Sequence, residues 1–139
     1  MRLLRLLLLF VTLLLVACAA TKSNTPEQTV ILTKQDKDKV QNVAVGESFV
    51  ITLDENPTTG YVWAVEGQPE LLVLQSSDYV SDAPPHKPDR PMIVGAGGKH
   101  TFTFVAHKSG TTTLKLKHWR SWEGDASIVD TFSVPVLVR

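Results

Sequence analysis

The chain has 139 residues, with 14 Lys and Arg against 14 Asp and Glu, 43% hydrophobic residues and one cysteine. This length suits a single domain with one hydrophobic core. The balanced charge, with no basic stripe, argues against nucleic-acid binding, and the lone cysteine excludes an intrachain disulfide.

The first 17 residues have the pattern of a secretory signal peptide. Arg2 and Arg5 form a basic start, and residues 6–16 form an apolar run that is short for a membrane span. The run ends in the motif LVAC at residues 15–18, which resembles a bacterial lipobox. That resemblance implies cleavage before Cys18, which then carries the lipid. A plain signal peptide with an incidental cysteine and an uncleaved anchor are the alternatives.

Loss of residues 1–17 would leave 12 basic against 14 acidic side chains, a net charge of −2. Ala19 stands where an inner-membrane retention signal would place Asp, which favours the outer membrane of the cell envelope. The domain would then face the periplasm or the outside. Residues 18–28 are predicted to be the lipidated cysteine and a polar tether, and residues 29–139 the folded domain.

Short alternating apolar runs along residues 29–139 predict strands and no long amphipathic helix. The predicted strands cover residues 30–32, 40–45, 48–53, 61–65, 71–75, 99–106, 111–117 and 128–138. Residues 76–91 are predicted to be irregular, since four prolines there exclude a central strand. Seven or eight short strands with turns between them predict an all-β fold, an antiparallel β-sandwich.

The connection at residues 56–61 combines several stiff residue types. It consists of Asn56, Pro57, Thr58, Thr59, Gly60 and Tyr61. Pro57 fixes its own φ, the two threonines have few rotamers, and Gly60 permits a left-handed backbone. A stiff loop of this kind can enter a groove with little loss of conformational freedom, although the same residues also suit an ordinary turn. We call residues 56–61 the first loop.

Two further loops stand out. The glycine loop consists of Gly95, Ala96, Gly97 and Gly98, and no helix follows it to bind a phosphate. It is either a flexible turn or a backbone surface that can lie close to another protein. The tryptophan loop, residues 118–124, contains Trp119, Arg120, Ser121 and Trp122. Trp and Arg dominate interface hot spots. Trp119 is the better core candidate, and Trp122 is predicted to be exposed.

These three motifs, in this order, resemble the chagasin family of inhibitors of papain-like cysteine peptidases. The resemblance covers the chain from about Val30 to Val138. The first two motifs match the family pattern in full, whereas Ser121 replaces the proline that the family has between Arg and Trp.

The resemblance implies an immunoglobulin-like sandwich with the three loops at one end. It further implies that the first loop enters the cleft of a papain-like cysteine peptidase, with Thr58 and Thr59 near the catalytic Cys–His pair. The other two loops would grip either side of the cleft. We expect a monomer that needs no cofactor. Because Ser121 stiffens its loop less than proline would, we expect inhibition that survives but is weaker or differently selective.

Nothing in the sequence assembles a catalytic site. Cys18 is committed to lipid, and Ser121 lacks both an acid partner and a strand–helix elbow. Asp54 and Glu55 point to opposite faces of a strand and are predicted to be a solvated pair beside a turn. The histidines lack metal-ligand spacing and are predicted at the surface or at strand edges: His86, His100, His107 and His118.

An alternative function is a surface-anchored binding module for a glycan or an envelope protein. Exposed tryptophans at residues 119 and 122 would suit stacking on a sugar ring. A structural envelope lipoprotein with no specific ligand is a third possibility.

Overall fold

The computed structural model describes residues 29–67, 69–85, 88–89 and 95–139. The predicted signal peptide, Cys18 and tether lie outside the described residues, as do His86 and most of the proline-rich segment after residue 85. Within the described residues, no helix has both the length and the apolar character needed to cross a bilayer.

Eight strands and three short 3₁₀ turns make up the described domain. The strands are β1 (Val30–Leu32), β2 (Gln41–Val43), β3 (Ser48–Glu55), β4 (Val62–Val65), β5 (Leu72–Ser81), β6 (Gly98–Ala106), β7 (Gly110–Trp119) and β8 (Asp130–Val138). The 3₁₀ turns are Lys34–Asp36, Pro57–Thr59 and Asp125–Ser127. The predicted immunoglobulin-like sandwich of seven or eight strands is confirmed, with eight.

The strands form two four-stranded sheets, ordered β1-β3-β6-β5 and β2-β8-β7-β4. The four pairings that involve β3 to β8 among themselves are antiparallel. The two short edge strands differ from the antiparallel prediction, because β1 pairs with β3 and β2 pairs with β8 in parallel. The chain crosses from the edge of one sheet to the edge of the other through the turn at Lys34–Asp36. β1 and β2 therefore do not form a hairpin with each other, and each pairs with a strand from further along the chain.

The core lies between the two sheets and is built from alternate residues of the long strands. Phe49 and Phe104, from neighbouring strands of the first sheet, stack with ring centroids 5.6 Å apart. Phe132, Leu114 and Leu116 cover them from the second sheet and are fully buried. The buried tryptophan is Trp63, at 4% exposure. Trp119, predicted to be the better core candidate of the two loop tryptophans, is half-buried and more covered than Trp122, but it does not join the core.

Strand β5 extends six residues further than predicted, to Ser81. Its register with β6 shifts between Leu74 and Ser76, which marks a β-bulge. A bulge reverses the alternation of faces along a strand, so the apolar pattern that identified residues 71–75 does not continue. β5 is an edge strand, and Pro84 and Pro85 follow its end, which agrees with their exclusion from a central strand.

The strand directions bring the three loops to one end of the sandwich. Because β3 and β6 are antiparallel, Glu55 at the end of β3 pairs with Gly98 at the start of β6. In the other sheet, Val62 at the start of β4 pairs with Trp119 at the end of β7. The first loop connects β3 to β4, so it lies between the glycine loop and the tryptophan loop.

Candidate functional site

The first loop is braced by its own hydrogen bonds. Asn56 caps the 3₁₀ turn: its Oδ1 accepts from the backbone N–H of Thr58 at 3.3 Å and from the Thr58 hydroxyl at 2.6 Å. The Thr59 hydroxyl donates to the Asn56 carbonyl at 2.7 Å. Gly60 ends the turn in the left-handed conformation, with φ of 82°. Thr58 and Thr59 remain exposed at the tip of the loop, while the hydrogen bonds to Asn56 fix their side-chain rotamers.

The glycine loop contacts the first loop and the end of β5. Asn56 Nδ2 donates to the Gly95 carbonyl at 3.2 Å, and the Asp82 N–H donates to the Gly97 carbonyl at 2.9 Å. Gly95 has a positive φ of 79° and open space where a side chain would stand. Gly98 differs from the other residues of the loop, since it is buried as the first residue of β6 beneath the Tyr79 ring. Its lack of a side chain therefore serves packing of the sheet.

Arg120 ties the tryptophan loop to the first loop. Its Nη2 and Nε donate to the Thr59 carbonyl at 2.9 Å and 3.3 Å, and its guanidinium lies 4.3 Å from the centre of the Tyr61 ring. Its Nη1 forms an ion pair with Glu123 at 3.1 Å. Two donors on one carbonyl oxygen, together with ring stacking, fix the guanidinium plane. Arg120 therefore fixes the tip of the first loop from the side of the tryptophan loop.

The tryptophan loop is also fixed from within. The Glu123 N–H donates to the Arg120 carbonyl at 3.0 Å, which closes a four-residue turn with Ser121 and Trp122 at its centre. The Ser127 hydroxyl is buried, accepts from the Arg120 N–H at 3.0 Å, and donates to the Gly124 carbonyl at 2.7 Å. This hydroxyl anchors the loop, although Ser127 was not among the predicted site residues, since a lone serine in a loop carries no local signal.

Trp122 is the exposed aromatic residue of the site. It is 69% exposed, as predicted, and its ring edge lies directly beside Gly60. A Cβ placed on Gly60 would stand 2.6 Å from Trp122 Cη2. Trp119 instead lies against Lys117, whose Nζ is 3.4 Å from the ring centre, and Lys117 in turn pairs with Asp125 at 2.6 Å. One face of the Trp119 ring is therefore covered by Lys117, so Trp119 offers less surface for stacking on a sugar than Trp122 does.

A buried carboxylate lies beneath the first loop. Glu55, predicted to be solvated, is 4% exposed, and its Oε2 accepts from the Trp63 N–H at 2.5 Å. His100 Nδ1 lies 2.8 Å from the same oxygen, and its Nε2 lies 2.8 Å from the Ser77 hydroxyl. The predictions of a solvated Glu55 and of a surface His100 were therefore wrong. Alternation does hold, since Asp54 points to the opposite face and is solvated.

His118 also departs from its predicted surface position. Its strand, β7, lies between β8 and β4, and its ring stacks on Trp63 at 4.8 Å with a 10° interplanar angle. Its Nε2 is buried and, within the described residues, has no hydrogen-bond partner. His107 is exposed after the end of β6, as predicted.

A small cavity separates the first loop from the glycine loop. It measures about 270 Å³ and is lined by Asp54, Glu55, Asn56, Asp82, Gly97 and Gly98. Lys99 lies next to it and pairs with Asp54; this hydrogen bond, reinforced by the opposite charge, raises the pKa of the Lys99 ammonium above its usual value. In the described part of the chain, no group of three or more His, Cys, Asp or Glu could hold a metal ion.

The structure thus brings all three loops together in one surface. Thr58, Thr59, Ser121 and Trp122 project from it, and Gly95 borders it. Hydrogen bonds between the loops hold this surface together. Such an arrangement can fill a groove on another molecule with little ordering cost.

Comparison with known proteins gives one family. The family model of the chagasin family peptidase inhibitor I42 matches residues 42–136. Chagasin of Trypanosoma cruzi is 32% identical over 103 residues, which cover 74% of this chain and 92% of that protein.

Two solved structures share the fold. The crystal structure of the cysteine protease inhibitor EhICP2 from Entamoeba histolytica has a TM-score of 0.64 and 23% identity, and covers 80% of this chain and 95% of that chain. The structure of PbICP-C in complex with falcipain-2 has a TM-score of 0.50 and 20% identity, and covers 81% of this chain and 92% of that chain. The matched proteins are peptidase inhibitors, not enzymes.

Proposed function

Because this chain belongs to the chagasin family of peptidase inhibitors, we propose that it is a reversible, tight-binding inhibitor of papain-like cysteine peptidases. The three loops would fill the active-site cleft together. The observation that carries this proposal is the bracing of the first loop by Arg120 on one side and by the contact of Asn56 with Gly95 on the other. The complex of PbICP-C with falcipain-2 supports a peptidase as the partner.

The first loop would act as a rigid wedge. Thr58 and Thr59 project toward the catalytic Cys–His pair, while hydrogen bonds to Asn56 hold both threonines in place. The Thr59 carbonyl is already occupied by Arg120. A peptide bond fixed in a capped turn cannot adopt the extended form of a substrate, so the wedge blocks the cleft without being cut. Its rigidity also keeps the entropic cost of binding low.

The flanking loops would grip the walls of the cleft. Gly95, Ala96 and Gly97 would approach through their backbone, with strand-like hydrogen bonds as one mode. Trp122 would pack its exposed ring on the opposite wall, as a hot-spot residue of the interface. A protease–inhibitor interface of standard size buries on the order of 1,600 Å² in total.

Titration against papain tests the proposed function. We expect stoichiometric inhibition that is competitive with substrate and reversible on dilution. A matched titration against a serine peptidase such as trypsin should leave that enzyme active. Failure to inhibit papain or a cathepsin, together with binding to a glycan array, would replace the proposal with the glycan-binding alternative.

Ser121 gives a first prediction about affinity. It occupies the second position of the turn closed by Arg120 and Glu123, where proline is favoured. We expect Ser121→Pro to stiffen the loop by about 0.4–1 kcal/mol, which lowers the inhibition constant roughly two- to fivefold. Inhibition constants of the two proteins against papain measure this. A markedly higher constant for the variant would show that Ser121 is an adaptation of this chain.

We also propose that the protein is a lipoprotein of the bacterial cell envelope, anchored through lipid on Cys18. The basic start, the apolar run and the LVAC motif support this proposal. The outer membrane is favoured by Ala19, and the tether would let the domain reach a peptidase in the periplasm or outside the cell.

Replacement of the proposed lipid-bearing residue separates anchoring from inhibition. We expect Cys18→Ser to move the protein from the membrane fraction to the soluble fraction, because the acceptor thiol is lost. Its inhibition constant against papain should equal that of the wild type, since the loops are unchanged. Membrane fractionation followed by immunoblotting reports the first result. Persistent membrane association of the variant would argue against lipid anchoring.

A further inference from the structure

The two ends of the first loop belong to different sheets. β3, which precedes the loop, lies in the sheet β1-β3-β6-β5, and β4, which follows it, lies in the sheet β2-β8-β7-β4. No strand ladder therefore holds the base of this loop closed, in contrast to a β-hairpin. Two hydrogen bonds bridge the gap instead. The Trp63 N–H donates to Glu55 Oε2 at 2.5 Å, and Trp63 Nε1 donates to the Asp54 carbonyl at 2.9 Å.

The Glu55 carboxylate is itself held in position by the first sheet. Its side chain is 1% exposed, and His100 Nδ1 contacts it at 2.8 Å. The His100 ring stacks on Phe102 at 4.3 Å with a 7° interplanar angle, and the Ser77 hydroxyl contacts its other nitrogen at 2.8 Å. Ser77 of β5, His100 of β6 and Glu55 of β3 thus form a row of contacting side chains. This row positions Glu55 Oε2 against the backbone N–H of Trp63 in β4.

We propose that Glu55 is a positioning residue for inhibition, which closes the base of the first loop across the gap between the sheets. This inference rests on the proposed function. Glu55 itself lies below the loop and need not touch the peptidase. Without its carboxylate, the Trp63 N–H would be buried and unpaired, and the loop base would open to satisfy it. The fraction of molecules with a competent loop would fall, and the apparent affinity would fall by the same factor.

Glu55→Leu and Glu55→Gln form a matched pair of variants. Leu fills the space but accepts no hydrogen bond. Gln removes the charge, but its Oε1 in the place of Glu55 Oε2 can still accept from the Trp63 N–H and from an N–H at His100 Nδ1. We expect the inhibition constant of Glu55→Leu against papain to rise at least tenfold, mainly through slower association, and that of Glu55→Gln to stay within about threefold.

A second readout needs no peptidase. The Gly60 N–H donates to the Pro57 carbonyl within the first loop, so its hydrogen exchange reports whether the loop is formed. In free Glu55→Leu we expect Gly60 to exchange at least tenfold faster relative to the core amide of Val136, and in Glu55→Gln we expect no change in this ratio. Trp63→Phe, which removes the Nε1 bond and part of the buried ring but keeps the backbone bond to Glu55, should show about a threefold rise in both measures.

Val138→Ala is the control for simple destabilisation, because Val138 is buried at the opposite end of the sandwich. It should lower stability and leave both the inhibition constant and the Gly60 ratio unchanged. Equal inhibition by Glu55→Leu and the wild type, or an equal loss in Val138→Ala, would overturn the positioning role. If wild-type protein does not inhibit papain, the proposed function fails, and the Gly60 ratio still decides whether Glu55 holds the loop. If Glu55→Leu does not fold, Glu55→Asp, which keeps the charge but withdraws the carboxylate from the Trp63 N–H, decides by the same two measures.

Discussion

Thr59→Arg is expected to abolish most of the inhibition of papain. Thr59 is exposed at the tip of the first loop, its hydroxyl donates to the Asn56 carbonyl, and its own carbonyl accepts from Arg120. A long charged side chain at this point would meet the walls of the cleft and carry an unpaired charge into it. Loss of a central hot spot costs about 2–4 kcal/mol, which corresponds to a roughly 30- to 1,000-fold rise in the inhibition constant.

The matched control is Thr113→Arg, an exposed threonine of β7 near the opposite end of the sandwich. It introduces the same side chain and the same charge, so an effect of net charge on association would appear in both variants. We expect wild-type inhibition from Thr113→Arg, and equal thermal stability of the two variants would exclude unfolding as the cause. Wild-type inhibition by Thr59→Arg would contradict the wedge.

Gly60→Ala is expected to weaken inhibition strongly while the fold survives. Two effects coincide there. The φ of 82° is unfavourable for alanine by about 1–2 kcal/mol, and the added Cβ would stand 2.6 Å from Trp122 Cη2. The Trp122 ring must therefore move away from the first loop. Because Trp122 is the exposed aromatic anchor of the surface, we expect the inhibition constant to rise roughly 30-fold or more.

Gly46→Ala separates the two effects. Gly46 has a φ of 88°, but no atom lies within 4 Å of its hypothetical Cβ, and it lies in the turn before β3 at the other end. Both variants should lose about 1–2 kcal/mol of unfolding free energy in urea titrations. Only Gly60→Ala should lose affinity. Similar inhibition constants for the two variants would contradict a role for the Gly60–Trp122 contact.

The loops and most of the strands could be predicted because their signals are local. Asn, Pro, Thr and Gly at residues 56–60 each act on their own backbone, and the structure shows the capped turn that such residues favour. The apolar alternation of β3 and β6 likewise predicted which residues face the core. Convergence of the loops followed from the antiparallel order of the strands that carry them.

The positions that could not be predicted depend on long-range contacts. The alternation of Phe49, Ile51 and Leu53 does place Glu55 on the inner face, and this parity was the available signal for a buried carboxylate. Its partners, Trp63 and His100, lie on two other strands and could not be identified from the sequence. The charge of Glu55 therefore led to the prediction of a solvated side chain. In the same way, the β-bulge interrupts the apolar pattern of β5, so the second half of that strand was not predicted. The burial of Trp63 and not of Trp119 in the core depends on how the two sheets pack.

If the three loops act together as one preformed surface that fills the cleft of a cysteine peptidase, binding buries all three at once. Hydrogen exchange of the inhibitor amides, free and in complex with papain, measures this burial. We expect added protection at residues 56–61, 95–97 and 119–123, with no change at residues 65–67, 69–71 and 107–113 at the opposite end. Protection confined to that opposite end, or absent from the first loop, would contradict this role of the three loops.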